Sequence, residues 1–293
     1  MSQAAELTRD AVVLDASRLS GVLGRYERWF VLTGAGCSTL SGIPAYRDES
    51  GAWRHKAPIQ FREFVHSEAV RQRYWARSFV GFERVHRAEP NGAHRALARF
   101  EQLGRARLLV TQNVDGLHQK AGSVSVVDLH GQLAEVECLG CRSRFHRASL
   151  QQRLLDQNPW LAATRSSGPT PDGDAMLDAT ACEQLVVPSC EHCGGMLKPA
   201  VVFFGENVPK PRIEDAYRAL GESDALLVVG SSLMVFSGYR FVRRAAEVGK
   251  PVVIINNGLT RADAIAALKL EGECGAVLGA AIDRLQPGAR SSE

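Results

Sequence analysis

Four cysteines stand in two pairs, Cys138-x-x-Cys141 and Cys190-x-x-Cys193. Each pair can present two thiolates from one tight knuckle, and four thiolates close a tetrahedral zinc site. Such a site has no open position for water, so the expected ion holds a segment together and does not react. The chain has seven cysteines, an odd number that suits reduced thiols and metal better than a disulfide framework. Cys182 and His192 lie close to the second pair, but the spacing singles out the two pairs.

A second constellation is polar: Thr111-Gln112-Asn113-Val114-Asp115-Gly116-Leu117-His118, then Asp128-Leu129-His130-Gly131. It offers amide, carboxylate and imidazole groups. A histidine that titrates near neutrality can take a proton from a sugar hydroxyl. A lone histidine of this kind is more often a structural hydrogen-bonding group. A third feature is the loop Gly34-Ala35-Gly36-Cys37-Ser38, running on through Ile43, Pro44 and Tyr46 to Arg47. Glycines after a strand let backbone N–H groups approach a pyrophosphate. The loop is not GxGxxG, and no acid closes a second strand to hold a ribose. By itself it is equally an ordinary strand-to-helix turn.

These residues need elements to position them. Apolar runs at 28–32, 106–110, 124–129, 225–229 and 252–255 each deliver small or polar residues at their C-terminal ends. The fourth ends at Gly230-Ser231-Ser232 and the fifth at Asn256-Asn257-Gly258. Helical stretches at 209–221 and 238–249 lie between them. Strands alternating with helices predict an α/β fold, a Rossmann-like doubly wound parallel sheet with ligands beyond the strand ends. Residues 48–87 and 135–198 break the rhythm. The expected organisation is therefore a discontinuous Rossmann-like domain (1–47, 88–134 and 199–293), a helical insert at 48–87 and a small zinc-binding domain at 135–198. A polar stretch at 166–174 suggests a loop, and the tail 287–293 is expected to fray.

Composition narrows the classes further. The chain has 293 residues, 45% of them hydrophobic, enough for one large domain with a smaller insert. A net charge of +3 is too small to argue for nucleic acid or a membrane surface, and no basic–aromatic pattern surrounds the cysteines. No run is long enough for a transmembrane helix. Glu6, Asp10 and Asp15 count against a transit peptide. The expectation is a cytoplasmic monomer without nucleic-acid or membrane partners.

Taken in order, GAGxSxxSGIPxxR, TQNVD, LHG, two CxxC pairs, KPxVVFFGE and GSSL resemble the sirtuins, from about residue 30 to residue 282. Finer features resemble the class II branch, which contains a mitochondrial sirtuin with weak deacetylase activity. These are Arg71-Gln-Arg-Tyr74-Trp-Ala-Arg77, Pro171-Asp-Gly-Asp174, Ser237-Gly-Tyr-Arg240 and Leu268-Lys-Leu270. The resemblance implies that NAD is consumed. An acyl-lysine oxygen attacks C1′ of the nicotinamide ribose, and nicotinamide leaves. His130 then takes a proton from a ribose hydroxyl, and lysine and an O-acyl-ADP-ribose are released. Acyl-lysine proteins or peptides would be the partners and one structural zinc the metal.

The same resemblance carries residue roles. Asn113 and Asp115 match the nicotinamide side of the catalytic centre, with Gln112 beside them. Gly34, Ala35, Gly36, Ser38, Ile43, Pro44, Tyr46 and Arg47 match the cofactor loop. Gly230, Ser231 and Ser232 match the ribose–phosphate side, while Asn256, Asn257, Gly258 and Cys274 match the adenosine side. Val202, Phe203, Phe204 and Gly205 match a strand that pairs with substrate backbone. Three positions depart: Ala200 stands where Asp is usual, Asn257 where Ile is common, and Tyr46 where many members have Phe.

Tyr74 and Arg77 are spaced to share one helix face, and an arginine can hold a carboxylate bidentately. Acidic acyl groups are thus expected beside acetyl and longer ones, with a helix-surface role the competing reading. Protein ADP-ribosylation and lipoamidase-type activity are alternatives on the same scaffold. An NAD-binding sensor without turnover is a further one.

Overall fold

The computed structural model describes residues 3–54, 58–164 and 182–285. The polar stretch 166–174, which contains Pro171-Asp-Gly-Asp174, and the tail 287–293 lie outside the described residues. In chain order the elements are α1 (Gln3–Leu23), β1 (Trp29–Thr33), a 3₁₀ turn (Ala35–Ser41), α2 (Phe61–His66), α3 (Glu68–Arg87) and α4 (Gly92–Gln102). Next come β2 (Ala106–Thr111), α5 (Leu117–Lys120), β3 (Val126–Asp128), β4 (Gly131–Cys138), β5 (Arg144–His146), α6 (Arg147–Gln157) and β6 (Leu197–Val201). The chain then forms α7 (Lys210–Glu222), β7 (Ala225–Val229), α8 (Phe236–Glu247), β8 (Val252–Ile255), β9 (Leu268–Leu270) and α9 (Cys274–Asp283).

The apolar runs become strands because both of their faces are covered. In β1, Trp29 and Val31 enter one core while Phe30 and Leu32 enter another. In β7 and β8, Leu227, Val253 and Ile255 go with the first core, and Leu226, Val228 and Ile254 with the second. A helix layer on each side removes any need for alternating polarity, so the strands read as continuous apolar runs. Helices α1, α4 and α9 cover one face; α7 and α8 supply Ala216, Leu220, Phe241 and Val242 to the other.

All neighbours in the six-stranded sheet pair in parallel, in the order β3-β2-β1-β7-β8-β9. The strand order reverses between β1 and β7, and that switch point opens a crevice at the strand ends. Register places Thr33 beside Thr111 and Val229, Thr111 beside Asp128, and Val229 beside Ile255. The next residues along each strand, Gly34, Gln112, Gly230 and Asn256, therefore emerge along one edge.

The expected run at 124–129 is shorter as a strand. Only Val126–Asp128 pairs, at the sheet's edge, and Val124 is 86% exposed. The sequence reading also passed over β9, a three-residue edge strand too short to show a period, and over α1, α4 and α9.

The second sheet is antiparallel, in the order β5-β4-β6. Its core merges with the helical insert: Phe64, Trp75 and Val85 pack in one cluster with Val136, Leu150, Leu154 and Leu185. The buried Arg147 fastens the two, with its guanidinium 5.3 Å from the Trp75 ring and 4.7 Å from the Phe82 ring. The two stretches that break the βα rhythm thus build one module. β4 leaves the large sheet directly after His130, and β6 returns to it just before Phe203. Gly131, at φ +83°, lets the crossing chains touch, because a Cβ there would lie 2.0 Å from the Ala200 carbonyl oxygen.

Candidate active site between the sheet edge and the small domain

A cavity of about 700 Å³ opens at the switch point and runs toward the small domain. Its volume lies within the range of ligand sites. All the sequence-predicted catalytic, cofactor and substrate residues line it except Pro44, Gly258 and Arg77. Gly258, at φ +77°, admits Glu49, whose carbonyl would lie 2.3 Å from a Cβ and accepts from Leu259 N at 2.9 Å.

The floor is a set of strand-end loops in direct contact. Gly34 N donates to Val229 O (3.2 Å) and Gly36 N to Gly230 O (2.8 Å). A Cβ on Gly230 would meet Cys37 N at 2.2 Å, so a side chain there would force the loops apart. Asn91 caps α4 and donates to Cys37 O (2.8 Å), fixing the cofactor loop to that helix. Asn113 Nδ2 donates to Gly34 O and to Ser38 Oγ, both at 3.0 Å, and Ser38 donates to Asp115 at 2.7 Å. Burial raises the Asp115 pKa above the usual carboxylate value, opposed by donors from Leu117 N and Ser38.

Gln112 ties this floor to His130. Its side chain donates to Ser231 Oγ (2.8 Å), and its carbonyl stands 2.9 Å from His130 Nδ1. A carbonyl only accepts, so Nδ1 carries the hydrogen and Nε2 the lone pair. Burial pushes the His130 pKa down to about 4, so the ring is neutral at pH 7. Ser237 Oγ stands 2.7 Å from Nε2.

Opposite, Lys198 bonds Glu206 (3.1 Å), and Glu206 accepts from Phe203 N (2.9 Å), which sets the turn after β6. Val202 N donates to His130 O (2.7 Å) and Phe61 N to Phe204 O (2.8 Å). An incoming substrate strand cannot use those three backbone groups, which narrows the expected strand pairing. Tyr46, Trp53 and Phe204 meet edge to face, with centroids 5.7 to 6.3 Å apart. Arg47 lies over Trp53 (4.0 Å) and donates to Gly51 O (2.7 Å). Asn257 accepts from Gly272 N at 2.7 Å, a bond that an isoleucine could not make. Cys274 is buried at the start of α9 with its thiol pushed up to about 12 by burial.

Sequence reasoning gave Trp53, Ser237 and Arg240 no role here, although all three line the cavity. Ser237 and Arg240 stood in a quoted segment, but no local signal says that α8 starts against His130. Of the pair Tyr74 and Arg77, Tyr74 lines the cavity from the Phe64–Phe203 cluster, while Arg77 is not among the lining residues.

Behind the floor, His118 Nε2 meets Thr33 Oγ1 at 2.9 Å, and His94 Nδ1 accepts from Asn91 N at 3.2 Å. Burial pushes His94 down to about 4 and His118 to about 3. The unfolded chain takes up protons near 6.5, so stability is full above that pH and is lost as pH falls toward 4 and 3, on the order of 3 kcal/mol per group. Chemical-denaturation midpoints measured from pH 7 to pH 4 should fall accordingly. His118→Gln should flatten that slope; an unchanged slope would show that these rings do not drive it.

The four cysteines of the two pairs come together in the small domain. Cys138 and Cys193 Sγ are 3.5 Å apart, Cys141 and Cys190 Sγ 3.7 Å, and all four atoms lie within 4.8 Å of one another. A tetrahedron with Zn–S bonds of about 2.3 Å has edges of roughly 3.8 Å, so the cluster fits one zinc. Backbone N–H groups of Gly140 and Cys141 point at Cys138 Sγ (3.3 and 3.5 Å). Cys182 is buried outside this cluster, and His192 faces Ser143 Oγ at 2.9 Å.

The Sir2 family model matches residues 34–237. An NAD-dependent protein deacetylase of Bordetella bronchiseptica is 54% identical over 269 residues, 92% of this chain and 98% of the relative. The NAD-dependent protein lipoamidase sirtuin-4, mitochondrial, of Bos taurus is 49% identical over 255 residues, 86% of this chain and 81% of the relative. Among solved structures, one described under the mechanism and regulation of Sir2 enzymes superposes with a TM-score of 0.73 at 30% identity, covering 94% of this chain and 99% of that one. A Sir2 complex with a p53 peptide and NAD+ superposes with a TM-score of 0.71 at 29% identity, covering 89% and 93%.

Proposed function

The chain belongs to the Sir2 family, and from that premise we propose that it is an NAD-dependent protein-lysine deacylase with His130 as its base. The observation that carries the reading is the neutral His130 ring in the cavity wall. Gln112 fixes its tautomer, and His130 lines the same cavity as Asn113, Asp115 and Phe203–Gly205. NAD supplies an electrophilic ribose carbon and a nicotinamide leaving group. Asn113, Ser38 and Asp115 form the hydrogen-bonded floor that orients the nicotinamide end. Once nicotinamide has left, His130 Nε2 takes the proton from a ribose hydroxyl, whose oxygen then attacks the acyl carbon. Incubation of acyl-lysine peptides with NAD tests this: nicotinamide release should depend on the peptide. Release at the no-peptide rate for every acyl group would overturn the reading.

The cavity wall also bears on the acyl group. Ile59, Tyr74, Val85, Val114, Leu133 and Phe203 are an apolar part of its lining, and Arg77 is not a lining residue; the lining arginines are Arg47, Arg54 and Arg240. An apolar channel favours a long or lipoyl-type acyl chain over a dicarboxylic one, since a carboxylate without a cationic partner is costly to bury. The 49% identity to a mitochondrial lipoamidase supports the same preference. A peptide panel should show kcat/KM for lipoyl- or octanoyl-lysine at least tenfold above glutaryl-lysine, with Arg77→Ala leaving that ratio unchanged. A glutaryl preference abolished by Arg77→Ala would restore the acidic-acyl reading.

A further inference from the structure

The base has a second partner whose role the family resemblance does not supply. His130 is held on both sides: Nδ1 donates to Gln112 O at 2.9 Å, and Nε2, left with the lone pair, accepts from the Ser237 hydroxyl at 2.7 Å. Ser237 lies in the first turn of α8, whose N-cap is Val235 with no side-chain cap. The hydroxyl is therefore turned to the histidine and not spent on the helix end. Its position is fixed by its neighbour, because a Cβ on Gly238 would meet the Gln112 amide at 2.5 Å. Helix α8 is thus pressed against the residue that also binds the other side of the imidazole.

We propose that Ser237 is the positioning residue of the base, capping His130 Nε2 in the resting site and accepting its N–H once the ribose proton has been taken. The inference rests on the deacylase reading. In the step itself the ribose O–H bond breaks and an N–H bond forms at Nε2. The electron pair left on the ribose oxygen makes the new bond to the acyl carbon. The imidazole then carries a positive charge in a wall shielded from water, with Nδ1–H still on Gln112 O and a new N–H at Nε2. An unsatisfied donor on a buried cation is costly. Nε2 has one in-plane lone pair, so the Ser237 hydroxyl swings aside about χ1 while the ribose hydroxyl delivers its proton, and once the ribose oxygen has left for the acyl carbon the serine oxygen swings back to accept the new N–H. Alanine cannot do this, and threonine can.

The step follows nicotinamide departure, so loss of Ser237 should spare the earlier chemistry. The test uses the full-length zinc-loaded protein, an acyl-lysine peptide, NAD and labelled nicotinamide. Two rates are measured: label entering NAD, which reports nicotinamide leaving and returning, and deacylated peptide. Ser237→Ala should lower deacylation about 10- to 100-fold, the effect of losing a hydrogen bond to a charged group, with exchange unchanged or raised. Ser237→Thr should recover deacylation to within about threefold, on the same reasoning. In a His130→Ala background, Ser237→Ala should add nothing, because the two act as one unit. Equal loss of exchange and deacylation in Ser237→Ala would reveal only a displaced α8, and no loss of either would show the contact to be idle. Both results overturn the proposal. Wild type that neither exchanges nor deacylates would instead remove the deacylase reading on which it rests.

Discussion

Replacing His130 by alanine is expected to lower deacylation about 10³-fold, the middle of the range for a positioned general base. Folding should survive. The half-buried ring gives up bonds to Gln112 O and Ser237 Oγ, while the Gln112 side chain keeps its bonds to Ser231 and Thr33. What is lost is, among the described residues, the one imidazole that lines the cavity, since His94 and His118 lie behind the floor. Steady-state rates with a melting curve on the same samples check this. A well-folded variant that retains more than a tenth of wild-type deacylation would take the base away from His130.

The second large effect concerns the metal. Removing zinc with a chelator, or replacing Cys190 by serine, is expected to unfold the small domain. The four sulfur atoms lie within 4.8 Å of one another, placed to share one ion, and structural zinc contributes on the order of 10 kcal/mol. Deacylation should go with the fold, although no cysteine of the cluster lines the cavity. β4 begins at the residue after His130 and β6 ends two residues before Phe203, so both cavity walls hang on the domain the metal closes. Metal analysis should give one zinc per chain, and chelation should abolish the cooperative melt of this module. A chelated protein with unchanged melting and activity would contradict the structural role.

Much of the site could be read from the sequence because the sheet is parallel and in register. Thr33, Thr111, Asp128, Val229 and Ile255 align as lateral neighbours, so whatever follows them in the chain must converge. The cysteine spacing was equally direct, since each tight knuckle needs its own pair. What stayed hidden depends on contacts between distant segments. Nothing local says that 48–87 and the zinc module share a core, that Ser237 meets His130, or that Trp53 meets Phe204 edge to face. Tyr74 and Arg77 show the limit of helix spacing: neighbours one turn apart share a face, yet only Tyr74 lines the cavity, because spacing does not say how far along that face the cavity extends. Nor does anything local say that the positive φ of Gly258 admits the Glu49 backbone.

The central claim is that acyl removal consumes NAD through a ribose-bound intermediate. Mass spectrometry of a reaction containing a lipoyl- or acetyl-lysine peptide and limiting NAD tests it most directly. Deacylated peptide, nicotinamide and O-acyl-ADP-ribose should appear in equal amounts, with the acyl group on the ADP-ribose. Free carboxylic acid released with NAD intact, or ADP-ribose attached to protein while the lysine keeps its acyl group, would contradict the account.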